Sequence, residues 1–161
     1  MEANERKPIH VAPDEGRKFW LVGDLITLKM VSSDTDGSFT LVEEVTSPQG
    51  GPPPHVHTRE DETFYVLEGE LEFVIGGRAL LATAGSVVYG PKGIPHAFRN
   101  VGTTPSTMAV FIAPAGFERM LEEVGELATD PSSPPEGPPD IERLVALNQK
   151  YGVDVPPPRE Q

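Results

Sequence analysis

The chain contains no cysteine in its 161 residues, which excludes a disulfide framework, a thiolate metal site and a cysteine nucleophile. A reducing cytoplasm is permitted but not demanded. Basic residues are scarce: 13 Lys and Arg stand against 25 Asp and Glu, giving a net charge of -12. Phosphate recognition needs clustered cations, and here they are scattered, so nucleic acid is not expected as a partner. The acidity reads as solubility. Long apolar runs are also missing. No stretch reaches the roughly 20 residues that span a bilayer, and the polar start Met1-Glu2-Ala3-Asn4-Glu5-Arg6-Lys7-Pro8 has no apolar run behind it. Neither a secretory signal nor a membrane anchor is visible, and a cytoplasmic protein without a membrane partner is the expectation.

What is present suffices for one domain with a sizeable core. Phe19 to Leu21, Leu25 to Val31 and Phe39 to Val45 are rich in β-branched and aromatic residues and read as strands, separated by turn signals such as Ser33-Asp34-Thr35-Asp36-Gly37. Over Thr63 to Ile75 the pattern predicts a hairpin: Phe64 to Leu67, the turn Glu68-Gly69-Glu70, then Leu71 to Ile75, with Gly76-Gly77 as the next turn. Ala79 to Leu81, Ser86 to Tyr89, Ala97 to Val101 and Thr107 to Ile112 supply further strands. Many short strands at this spacing predict an all-β barrel or jelly roll.

After Pro114 the period becomes helical. Phe117, Met120, Leu121, Val124, Leu127 and Ala128 predict a surface helix from about Gly116, weakened by Gly125. Asp130 to Pro139 reads as an extended connection. A second short helix is expected from about Asp140, with Ile141, Leu144, Val145 and Tyr151 on one face and Gly152 as its stop. Pro156-Pro157-Pro158 reads as a solvated tail. The expected division is a barrel with its N-terminal strands over residues 1–113 and a helical extension, packed on the same domain, over residues 114–161.

The chemistry lies in His55, His57, Glu62 and His96. On an extended strand alternate side chains share a face, so His55 and His57 converge while Val56 points away. Glu62 falls on the returning strand and adds a hard oxygen donor to the imidazole nitrogens. His96 must arrive from elsewhere in the fold. Gly93, able to take a positive φ, and the φ-locked Pro91 and Pro95 form a tight turn that places it at a strand start.

These blocks resemble the two motifs of the cupin family. The first is matched by His55, His57, Glu62 and Gly69, with Gly50 one residue nearer to His55 than usual. The second is matched throughout from Gly85 to Asn100. The segments Phe19 to Asp24, Pro54 to Glu62 and Ala115 to Arg119 are further similar to single-domain bacterial cupins related to quercetin 2,3-dioxygenase. The resemblance implies the double-stranded β-helix, or jelly-roll barrel, with a short α-helical C-terminal extension. It implies one divalent transition metal per chain (iron, manganese, nickel, cobalt or zinc) held by the three histidines and Glu62. It also implies a homodimer, with exchange of N-terminal strands as one form of it.

By that resemblance the leading expectation is a dioxygenase that cleaves a flavonol or related enol, with a small-molecule substrate, aromatic in the flavonol case, and dioxygen as its partners. Glu62 serves as ligand and as the base that takes the hydroxyl proton. The alternatives are an oxygen-independent isomerase, lyase or hydrolase, and a non-enzymatic small-ligand-binding cupin. Trp20, Phe64, Phe98 and Phe111 are candidate walls of an aromatic pocket, though barrel cores are filled by such side chains in any case. Phe64 and Phe98 have the stronger claim, each standing two residues beyond a ligand and so on its face. Glu60 and Asp61 read as solvated turn residues, Arg59 as exposed, Asn100 as a turn tie and His10 as incidental.

Overall fold

The computed structural model describes residues 7–156. The polar start at 1–6 and Pro157 and Pro158 of the expected tail lie outside the described residues. In chain order the elements are β1 (Lys18–Leu21), β2 (Asp24–Met30), α1 (Ser32–Thr35), β3 (Thr40–Thr46), β4 (Val56–His57), β5 (Asp61–Glu68), β6 (Glu70–Ile75) and β7 (Arg78–Thr83). They continue with β8 (Val87–Gly90), β9 (His96–Asn100), β10 (Ser106–Ala113), α2 (Phe117–Val124), β11 (Glu126–Leu127), α3 (Ile141–Lys150) and β12 (Val153–Asp154).

Alternation along the strands sorts the side chains. On β10, Ser106, Met108, Val110 and Ile112 are buried, and the residues between them are less so. One antiparallel sheet runs β11-β1-β2-β3-β10-β5-β8, a second runs β7-β6-β9, and β12 pairs with β4. The sheets close face to face on an aromatic core. Phe64 of β5 meets Phe73 of β6 and Phe98 of β9 at ring-centroid separations of 5.1 and 6.0 Å. Phe64 and Phe73 are almost wholly buried, and each contributes about 1.5–3 kcal/mol by leaving water. The result is the expected all-β jelly roll.

Three local expectations are corrected. The predicted hairpin over 63–75 does not form: β5 pairs with β10 and β8, whereas β6 pairs with β7 and β9. Both edges of β5 are taken, so the chain crosses to the other sheet at Gly69. That residue has φ +90, and a Cβ there would stand 2.8 Å from Ser106. The true hairpin follows, β6 to β7 over Gly76-Gly77. Second, α2 ends at Val124 instead of running to Ala128. A Cβ at Gly125 would lie 2.6 Å from the Leu121 carbonyl oxygen and 3.1 Å from Phe19. Glycine lets the chain turn away there, and Leu127 pairs with Phe19 as a strand. Third, the turn after β2 winds into the short α1.

The C-terminal part packs back on the barrel. Asp140 caps α3 by accepting a 3.0 Å hydrogen bond from the Arg143 N–H, and Gly152, at φ +75, follows its end. Val153 of β12 then pairs with His57.

Candidate metal centre

Backbone pairing brings the distant histidine to the others. His55 and His96 exchange N–H···O=C hydrogen bonds of 2.9 Å each way. Upstream, Gln49 donates to the Asn100 carbonyl and Asn100 donates to Gly50, both at 2.9 Å. The loop can lie this close to β9 only at a glycine. A Cβ on Gly51 would stand 2.1 Å from the Phe98 carbonyl oxygen. Gly93, at φ +79, donates a 2.8 Å bond to the His57 carbonyl. The Pro91–His96 turn is thereby tied to β4, and His96 opens β9 as the turn residues predict. Asn100 is a turn tie: its Nδ2 donates to the carbonyls of Thr46 and Thr104, and its Oδ1 accepts from the Gly102 N–H, each at 2.9 Å.

With the backbone so arranged, one donor atom from each of His55, His57, Glu62 and His96 lies within 4.8 Å of the others. His57, Glu62 and His96 are buried and His55 is partly buried. Each imidazole turns Nδ1 outward: His55 to the Pro53 carbonyl at 3.0 Å, His96 to the Ile94 carbonyl at 3.4 Å, and His57 to the Glu60 carboxylate at 3.4 Å. A carbonyl only accepts, so Nδ1 carries the proton in His55 and His96, leaving an Nε2 lone pair for the centre. Glu60 is thus a buried support of His57 and not the solvated turn residue its sequence context suggests. Asp61 fits a turn role, accepting from the Lys92 N–H at 2.8 Å.

The donor set fits a metal ion. Glu62 Oε2 and His96 Nε2 are 2.6 Å apart, yet both are buried without a properly aligned hydrogen bond. Such orphaned atoms are costly unless something else satisfies them. Burial pushes the Glu62 carboxyl up, but His57, followed by His96 and His55, outweighs it and holds the group down at about 2. Burial pulls His55 down to about 4, leaving a neutral imidazole. His57 is moved the other way: burial opposes it, but Glu62 and Glu60 raise it overall. An ionised carboxylate beside imidazole nitrogens is a ligand set for a divalent transition metal.

His55, His57 and Glu62 open onto a cavity of about 180 Å³. Phe64 and Phe98 line it, as their positions on the ligand strands predict. Two other candidate wall residues are placed elsewhere. Trp20 lies on the opposite face of β1 from Phe19 and Leu21 and faces a separate cleft beside Pro134 to Asp140. Phe111 alternates with the buried Val110 and Ile112, is exposed, and packs its ring 5.8 Å from Phe39.

The remaining walls were not apparent from spacing alone. Phe117 and Met120 of α2 and Leu144, Val145 and Asn148 of α3 roof the cavity. Asp24 and Glu44 add two acids to its wall. A signal existed for Glu44, which shares the inward face of β3 with Thr40, Val42 and Thr46. Burial raises both acids, Asp24 to about 6 and Glu44 well above the usual carboxylate range, with the Asp24 charge adding to the rise of Glu44.

Residues 42–112 match the cupin domain family. Together with the barrel and its four-ligand cluster, this places the chain in the cupin superfamily. The chain is 34% identical over 116 residues to germin-like protein 1-1 of Oryza sativa subsp. japonica, a match covering 68% of this chain and 49% of that protein. It is 41% identical over 71 residues to a probable germin-like protein, subfamily 2 member 5, of Arabidopsis thaliana, covering 40% of this chain and 33% of that one. The chain therefore spans half or less of these curated relatives. Among solved structures, a predicted oxalate decarboxylase from Thermotoga maritima superposes with a TM-score of 0.62 at 19% identity, covering 66% of this chain and 99% of that one. KdgF from Halomonas sp. does so with 0.60 at 15%, covering 70% and 98%. The Streptomyces nucleoside dehydratase Pac13 gives 0.57 at 23%, covering 70% and 88%. At these identities the structural likeness concerns the fold alone.

Proposed function

We propose that this cupin is a metal-dependent dioxygenase of the quercetinase-like kind, acting on a flavonol or a smaller related enol. The observation that carries the reading is the setting of Glu62: a buried carboxylate with one unpartnered oxygen, opening onto a cavity walled largely by apolar and aromatic side chains. His55, His57, Glu62 and His96 would hold the ion, which when bound would supply Lewis-acid charge for a substrate oxyanion. Glu62 takes the acidic hydroxyl proton as the substrate binds. Burial favours its protonated form, and the surrounding imidazole charges oppose it. Phe64, Phe98 and Phe117 exclude water and orient the ring for attack by dioxygen.

The cavity's size favours the smaller enols. At about 180 Å³ it lies below the roughly 300 Å³ at which drug-sized ligand sites begin. The same observation keeps an oxygen-independent isomerase, lyase or hydrolase acting on a small substrate as the second reading. A cytoplasmic homodimer belongs to the proposal, supported by the exposed apolar side chains Tyr65, Val87 and Tyr89 on adjacent strands β5 and β8.

The test is oxygen consumption by protein reconstituted separately with iron, manganese, nickel and cobalt, offered quercetin and smaller enols. Metal-dependent uptake with a ring-cleaved product is the expected result. Tight metal binding without uptake, combined with anaerobic turnover, moves the assignment to the second reading.

A further inference from the structure

The cavity holds a second polar cluster that the chemistry above does not use. Asp24 opens β2 and Glu44 lies on β3 opposite Ile26, so the two acids are diagonal neighbours on the inward face. Both line the cavity wall, and burial raises both above the usual carboxylate range. Across the sequence, Asn148 of α3 lines the same cavity. It is 7% exposed, and its Oδ1 has no hydrogen-bond partner. Among the described residues no Lys or Arg lines this cavity.

These features select a ligand chemistry. Asn148 Oδ1 is an acceptor in need of a donor, and an acid pair whose protonated form burial favours offers a donor in return. A hydroxyl supplies both roles. A small dicarboxylate supplies only acceptors, and it would lose its water with no cationic side chain to replace it.

We propose that Asp24, Glu44 and Asn148 form the specificity site of this cavity, binding the hydroxyl groups of an uncharged, largely apolar ligand and turning away small dicarboxylates. The proposal rests on the reading of the cavity as a substrate site, but it concerns what binds there, not whether oxygen is used.

Anaerobic calorimetric titration of the nickel-loaded protein with catechol, quercetin and oxalate tests it. At least one hydroxylated ring is expected to bind about tenfold or more tightly than oxalate. Glu44→Leu should weaken that binding about tenfold with metal content unchanged, and Glu44→Gln, which keeps a donor and an acceptor, should recover most of it. Should Glu44→Leu not fold, Asn148→Leu, distant from the acid pair, is expected to show a loss of the same order. Oxalate binding as tightly as the rings, neither ring binding, or unaltered ring affinity in the folded variants would each overturn the proposal. Because oxygen is excluded, a failure of turnover in the separate aerobic assay would sink the dioxygenase reading and leave this result standing.

Discussion

Two buried glutamates of this barrel have carboxyls held at about 2, yet they do opposite work. Glu118, in the first turn of α2, is saturated. It accepts from the Ser32 N–H at 2.9 Å, the Thr40 hydroxyl at 2.6 Å, the Gly116 N–H at 3.0 Å and the Ser32 hydroxyl. Burial pushes it up, and these donors, led by Ser32 and Thr40, pull it down. Glu62 is depressed chiefly by the imidazoles around it, while its Oε2 lacks an aligned donor. A low carboxylate pKa therefore does not by itself mark a functional site. Unfilled bonding capacity separates a carboxylate that ties the chain together from one kept open for a ligand.

The contrast is broken or sharpened by five substitutions. The largest effect is expected from His57→Ala or His96→Ala, which should abolish stoichiometric metal binding and lower the melting temperature by removing a ligand of the native state. Unchanged metal content by elemental analysis would sink the ligand assignment. Glu62→Gln should lower kcat about a thousandfold with a smaller change in KM. Full turnover on a substrate that the wild type cleaves would remove Glu62 as the base. Glu60→Ala, which deprives His57 of its support, should weaken metal affinity by about 10- to 100-fold while leaving the four ligands in place. Competition with a chelator measures this.

Glu118→Gln is expected to cost about 2 kcal/mol of unfolding free energy at neutral pH and to leave metal content untouched. Because the folded-state pKa lies below the ordinary 4.5, this stabilisation is complete above pH 4.5. It should fade as pH falls toward about 2, so the urea-unfolding curves of variant and wild type should converge there. Metal loss in Glu118→Gln comparable to that of the histidine variants would erase the distinction between the two glutamates.

The ligands were legible because their positions obey local rules. Period-two alternation put His55 and His57 on one face, and the glycines and prolines before His96 specified its turn. The same alternation located Phe64 and Phe98. It could also have directed Phe111 outward, because the buried Val110 and Ile112 flank it. Glu60 reads as a solvated turn residue because its distance from His57 in sequence is that of an ordinary turn. Only the fold of that turn shows the carboxylate meeting Nδ1. The crossing at Gly69 was hidden for a similar reason: a glycine between two strands serves a hairpin or a sheet change equally well, and the choice depends on which strands already occupy the edges of β5.

The sequence by itself determined the jelly-roll class, the four side chains of the candidate metal centre and the turns that present them, since strand alternation and glycine backbone freedom act over a few residues. The tertiary structure alone decided that α2 and α3 roof the cavity, that Asp24 and Glu44 meet on its wall, and that Glu118 is sated while Glu62 is not. Those outcomes depend on which distant groups burial brings together and on which polar atoms it leaves without partners, and no local pattern carries that information.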